Sequence, residues 1–100
     1  MSYPSFDKFA ELTGSEFAVA HGALRTRLML KKVSSHAPSS TASGQPVSSF
    51  SLLFEGDNEP VLAQQIYLLE HADAGAFDLF IVPLGPDRAG GQMLYEAVFN

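Results

Sequence analysis

From Phe17 to the end of the chain, apolar residues recur at every second position, in short runs separated by turn residues. A period of two places successive side chains on opposite faces of a strand, so this pattern confines most of the chain to β structure. The clearest run is Leu24–Val33. Leu24, Thr26, Leu28 and Leu30 form one face, and Arg25, Arg27 and Lys31 the other, with Met29 among them. Val47–Glu55 sets Phe50, Leu52 and Phe54 against Ser49, Ser51 and Glu55, interrupted by Leu53. Gln64–His71 alternates Ile66 and Leu68 with Tyr67 and Leu69. Gln92–Phe99 alternates Met93, Tyr95, Ala97 and Phe99 with Leu94, Glu96 and Val98. A shorter strand holds Phe17 and Val19 and ends at Gly22, a turn residue.

Phe77–Leu84 differs from the others because both of its faces are apolar. Phe77, Leu79 and Ile81 oppose Phe80, Val82 and Leu84. The turns Asp73-Ala74-Gly75 before it and Gly85–Gly91 after it are short, so it lies between its two sequence neighbours in a meander. One face meets the core. The other needs a second cover, either the N-terminal helix or another protein chain, and the helix is the expected one.

That helix is marked by Ser5 as an N-cap and by Phe6, Phe9, Ala10 and Thr13 at helical spacing, with Leu12 widening the stripe and Gly14 as the stop. At about two turns it is too short to be stable alone and must dock its Phe residues. Residues 34–46, SSHAPSSTASGQP, carry no large apolar side chain and read as a flexible loop or flap inserted between strands. No internal repeat is visible. The expectation is one domain over residues 1–100, mainly β: a small antiparallel β sandwich or barrel of about six strands with a short N-terminal helix.

A chain of 100 residues with 46% apolar residues and eight Phe can bury a genuine core without metals or disulfides. The absence of Cys excludes a disulfide framework and a thiolate nucleophile. A net charge of −5 argues against general binding to nucleic acid or to an anionic membrane surface. The N-terminus has no basic segment followed by an apolar one, and no apolar stretch is long enough to span a bilayer, so the expected location is cytoplasmic.

The candidates for chemistry are weak. His21, His36 and His71 lack the close spacing of a metal pair, so no metal or cofactor is expected. Glu70, His71 and Asp73 form the one polar cluster worth weighing, with turn capping as the simpler role. Asp57-Asn58-Glu59 lacks the spaced ligands of a calcium loop and reads as a solvated turn. Gly85–Gly91 precedes a strand and lacks the G-K-[ST] ending of a phosphate loop. No G-x-S-x-G elbow is present, and Ser39 and Ser40 have no base nearby in sequence. No catalytic residue is assigned. Arg25, Arg27 and Lys31 share a strand face and read as a binding stripe or, more simply, as cross-strand partners of Glu55. The aromatic residues Phe50, Phe54, Tyr67, Phe77, Phe80, Tyr95 and Phe99 read more simply as core, but they are many for one small core, so Phe77, Phe80 and Tyr95 join the basic stripe as candidates for an interaction surface.

The runs FSLLFEG, QQIYLLEH, GAFDLFIVPLGPD and the ending YEAVFN resemble a family of small bacterial proteins described as a domain of unknown function. The similarity covers residues 50–100, with a weaker echo in the FxxLTGxxF opening from Phe9 to Phe17. Members look to be encoded near proteins similar to phage-tail collar proteins, which implies a part in a tail-like or surface assembly. The resemblance brings no catalytic residue onto this chain.

Three functions follow in order. The first is a non-enzymatic interaction or assembly module, acting through a sheet face or an edge strand on another protein or on a copy of itself. The second is a barrel that holds a small molecule, with the 34–46 loop as a flap. The third is a small hydrolase using His71 with Glu70 or Asp73.

Overall fold

The computed structural model describes residues 3–35, 49–59 and 61–99. Most of the 34–46 loop, including His36, Ser39 and Ser40, lies outside the described residues, as do Val47 and Pro60. Ser34 and Ser35 are not loop; they continue the second strand and pair with Ser51 and Phe50.

A helix, α1 (Phe6–Glu11), precedes six strands: β1 (Glu16–His21), β2 (Leu24–Ser35), β3 (Phe50–Gly56), β4 (Gln65–His71), β5 (Gly75–Pro86) and β6 (Met93–Phe99). All pairings are antiparallel, and the sheet closes into a barrel in the order β1-β2-β3-β6-β5-β4. Among the described strands, closure leaves each with a neighbour on both sides. Among the described residues no helix is long and apolar enough to cross a membrane.

The barrel is made of two meanders, β1-β2-β3 and β4-β5-β6, joined by the β1–β4 and β3–β6 ladders. Their strands are 6, 12 and 7 residues long in one and 7, 12 and 7 in the other. This structural duplication has no counterpart in the side-chain pattern. Each long strand carries a register shift, between Leu30 and Lys32 in β2 and between Pro83 and Gly85 in β5. The bend lets one half of the strand pair within its first hairpin and the other half with its third strand.

Along each strand the inward residues belong to one of the two sets that the period of two separates. Phe17, Val19, Leu28, Leu30, Leu52, Phe54, Tyr67, Leu69, Phe77, Leu79, Ile81, Tyr95 and Ala97 fill the interior. Phe17 meets Phe54 and Phe77 edge-on across the barrel, with ring centroids 5.8 and 6.3 Å apart.

The helix is where the expectation fails. Ser5 caps it as read, its Oγ accepting the Lys8 N–H at 3.1 Å. It does not cover the outer face of β5. It plugs one end of the barrel, where the fully buried Phe9 ring lies 5.7–6.0 Å from Phe50, Phe77 and Phe99. A fully apolar ring gains most where aromatic side chains surround it, and three inward Phe rings meet at that end. At the other end the β3–β4 connection buries Leu62, whose N–H donates to the Tyr95 hydroxyl at 2.8 Å.

Candidate functional site

With the helix at the barrel end, the outer surface of β4, β5 and β6 stays open. Ile66 and Phe80 are cross-strand partners. Val82 pairs with Glu96, and continuing that antiparallel register by two residues sets Phe80 beside Val98. Ile66, Phe80, Leu84 and Val98 are 58%, 49%, 52% and 51% exposed. Ile66, Phe80 and Val98 thus adjoin one another at outward strand positions, which makes this face the candidate site. Glu70, Asp78 and Glu96 share these outward faces, and none of the three joins an ion pair among the described residues.

Of the three aromatic candidates for this surface, only Phe80 lies on it. Phe77 and Tyr95 are core residues, because they occupy the inward phase of their strands. Burial pushes the Tyr95 phenol above its ordinary pKa, although the Leu62 N–H on its oxygen acts the other way. The sequence pattern places Ile66, Leu84 and Val98 on strand faces and does not mark them as a surface. For Ile66 and Val98 the signal is the outward phase, each beside a core residue, Tyr67 or Ala97, while Leu84 stands at the register shift of β5, which the period of two does not show.

Across the barrel, β2 shows the basic stripe. The Arg25 guanidinium donates to the carbonyls of Gly22 and Leu24 at 2.7 and 2.8 Å. Arg27 Nε lies 3.5 Å from Glu16. Glu55 is not the partner of Arg25 and Arg27. It sits across from Met29 and is 3.3 Å from Lys31 Nζ, which also donates to Asp87 at 2.6 Å. The register shift beside Lys31 sets its side chain between β3 and the β5–β6 turn. Its hydrogen bonds to Asp87 and then Glu55 raise the Lys31 pKa. The same bond from Lys31, helped by the Ala89 N–H, lowers that of Asp87. Lys32, beside it on the strand, has no ion pair among the described residues.

Glu70, His71 and Asp73 do not converge. Glu70 is exposed on the outer face of β4. Asp73 reaches His71 with its backbone, its N–H donating to Nδ1 at 3.0 Å. The ring partner of His71 is Ser15, whose Oγ is 3.1 Å from Nε2. His71 also packs on Phe17 with ring centroids 4.8 Å apart. An open hollow beside it is floored by Ala18, Ala72, Gly75 and Ala76 and bordered by Glu70. His21 lies edge-on to Tyr67. Asp57 lines a shallow polar groove with Glu16, Arg27, Met29, Glu55 and Gln92. No group of three or more His, Asp or Glu that could hold a metal occurs among the described residues.

No curated protein matches the chain, and no solved structure does. The model of a family described as a domain of unknown function, DUF6916, matches residues 4–99, a span that takes in the helix and all six strands. The chain belongs to the DUF6916 family.

Proposed function

We propose that this barrel is a non-enzymatic protein-interaction or assembly module that docks through the outer face of β4, β5 and β6. The observation that carries the reading is the exposed set Ile66, Phe80, Leu84 and Val98 on adjoining strands of a closed barrel. Closure leaves a face, not an edge, as the means of contact. The acidic rim of that face and the chain's net charge favour a protein partner over nucleic acid or an anionic membrane. A tail-like or surface assembly is a setting that suits such a module, and the working location is the cytoplasm.

The second reading, a barrel that carries a small molecule, agrees with the architecture. Its ligand would have to displace the rings of Phe17, Phe54 and Phe77 from the barrel axis. The docking reading requires no such displacement.

A photoreactive benzoylphenylalanine in place of Phe80, in cells that make the protein, tests the docking face. The control carries the same group at Thr13, which is exposed just beyond the helix. Protein adducts at position 80 and none at position 13 are the expected result. Equal labelling at both, or none at either, removes the reading.

A further inference from the structure

In the ring order β1-β2-β3-β6-β5-β4, β2 and β5 stand three places apart, so their outer surfaces face opposite ways. The two surfaces differ in kind. β2 carries Arg25, Arg27, Lys31 and Lys32, four of the six Lys and Arg in an acidic chain, together with Met29. β5 and its neighbours carry the apolar strip with Glu70, Asp78 and Glu96 around it. Ion pairs within the chain engage Lys31 and Arg27. Among the described residues they leave Arg25, bonded to backbone carbonyls, and Lys32 on one side, and the three acids on the other. Among the described residues each face therefore keeps charged groups without an ion-pair partner, and the signs are opposite.

We infer that the occupant of the β4–β5–β6 face is a second copy of this chain, presenting its β2 face. The inference rests on the docking role proposed above and names its partner. Met29, midway along β2, provides apolar cover for Ile66 and Phe80, while Arg25 and Lys32, towards the two ends of that strand, set their charged heads against the acidic rim. The hollow floored by Ala18, Ala72, Gly75 and Ala76 gives an arginine of the incoming copy room beside Glu70. Two copies meeting acidic face to acidic face would oppose like charges, as would two β2 faces, so a two-fold dimer is disfavoured. Because the complementary faces lie on opposite sides, every added copy leaves a free face for the next. Such a head-to-tail contact builds a filament, or a ring if the rotation closes.

Sedimentation velocity and light scattering of the full chain test this over about 5 to about 500 μM, where weak protein contacts become populated. The expected mass climbs with concentration past twice the 10.8 kDa of one chain. Raising salt from about 0.05 M to about 0.5 M is expected to weaken the association about tenfold or more. Phe80→Glu damages one face, and Arg25→Glu with Lys32→Glu damages the other. Each variant alone is expected to stay monomeric, and an equimolar mixture to stop at a dimer with one chain of each kind. Ile66→Glu serves in place of Phe80→Glu if that variant does not fold, as circular dichroism will show. A wild-type chain that remains at 10.8 kDa throughout overturns the inference. So does a β2 variant that associates like the wild type, or a mixture without dimers. If the wild type is monomeric while the probe at position 80 labels a different protein, the docking role stands and only this partner falls. If the probe labels nothing, both fall.

Discussion

The Nε2 of His71 lies 3.1 Å from the Oγ of Ser15, a residue 56 positions earlier in the chain. The pair looks like the start of a catalytic triad but its protons run the wrong way. The Asp73 N–H donates to Nδ1. The network thus places the proton of the neutral ring on Nε2, from which it is donated to Ser15. The Ser15 hydroxyl in turn donates to the Leu12 carbonyl. A general base would present a bare Nε2 to the hydroxyl proton. The arrangement instead ties the segment after α1 to the β4–β5 turn. Ser15→Ala is expected to lower stability by about 1 kcal/mol, measured by urea unfolding. A fluorophosphonate probe is expected to leave Ser15 unlabelled, and labelling at that residue would restore the hydrolase reading.

Phe9 and Phe80 make a contrasting pair of apolar rings. Phe9 is fully buried against three aromatic neighbours at the barrel end, while Phe80 is half exposed. Phe9→Ala is expected to destabilise the barrel by about 3–5 kcal/mol, enough to leave much of a small domain unfolded. Phe80→Ala loses a partner surface and little of the fold, with an expected change within about 1 kcal/mol. Denaturant midpoints measured at micromolar concentration compare the two. A large loss from Phe80→Ala there would mean that the ring supports the monomer and not a contact.

The strands were legible because an inward side chain at every second position is a local pattern. Leu28 and Leu30 can be separated from Arg25 and Arg27 without knowing what they would meet, whereas in β5, apolar on both sides, the pattern does not tell the Phe77 face from the Phe80 face. Closure was not legible. The β1–β4 ladder joins Ala18 to Glu70 and the β3–β6 ladder joins Phe50 to Phe99, and nothing local in either segment names its partner. The halves also hide their duplication, since β2 places Lys31 beside its register shift and β5 places Leu84 beside its own. The helix was found but mislaid. Its stripe says that Phe9 must be covered, and only the closed barrel shows that an open end, not the back of β5, receives it. The pattern does say that the apolar back of β5 needs a second cover, and this face is the candidate site because no part of the described chain covers it.

Among the described residues Gly56 is the one glycine whose missing side chain is required by close packing. It is buried at the end of β3, and a Cβ built there would lie 2.7 Å from Leu28 Cδ2 and 3.1 Å from Tyr95 Cε2. Both neighbours are themselves buried, and Tyr95 is held by its bond to the Leu62 N–H, so neither has open space to retreat into. Gly56→Ala is expected to cost about 1–3 kcal/mol through overpacking, despite the gain in chain stiffness that alanine usually brings. Thermal unfolding of the variant checks this, and an unchanged or higher Tm would show that Leu28 relaxes freely.

The Lys31–Asp87 pair makes a pH-dependent tie between β2 and the β5–β6 turn. Asp87 titrates below the ordinary carboxylate value of about 3.9, so its contribution is fully present above that value. It is lost as pH falls through the lower folded-state value, where the proton enters the folded protein. Lys31 titrates above the ordinary value of about 10.4, so its contribution is present below that value and lost as pH rises through the raised one. The stability difference between wild type and Asp87→Asn should therefore be flat from about pH 5 to about pH 9 and shrink towards both extremes. Both groups are near solvent, so the difference should be modest and fall as salt is raised. Lys31→Met should remove the same interaction, and combining the two substitutions should cost less than their sum. Additive losses that ignore salt would mean that the two side chains act through packing and not through their charges.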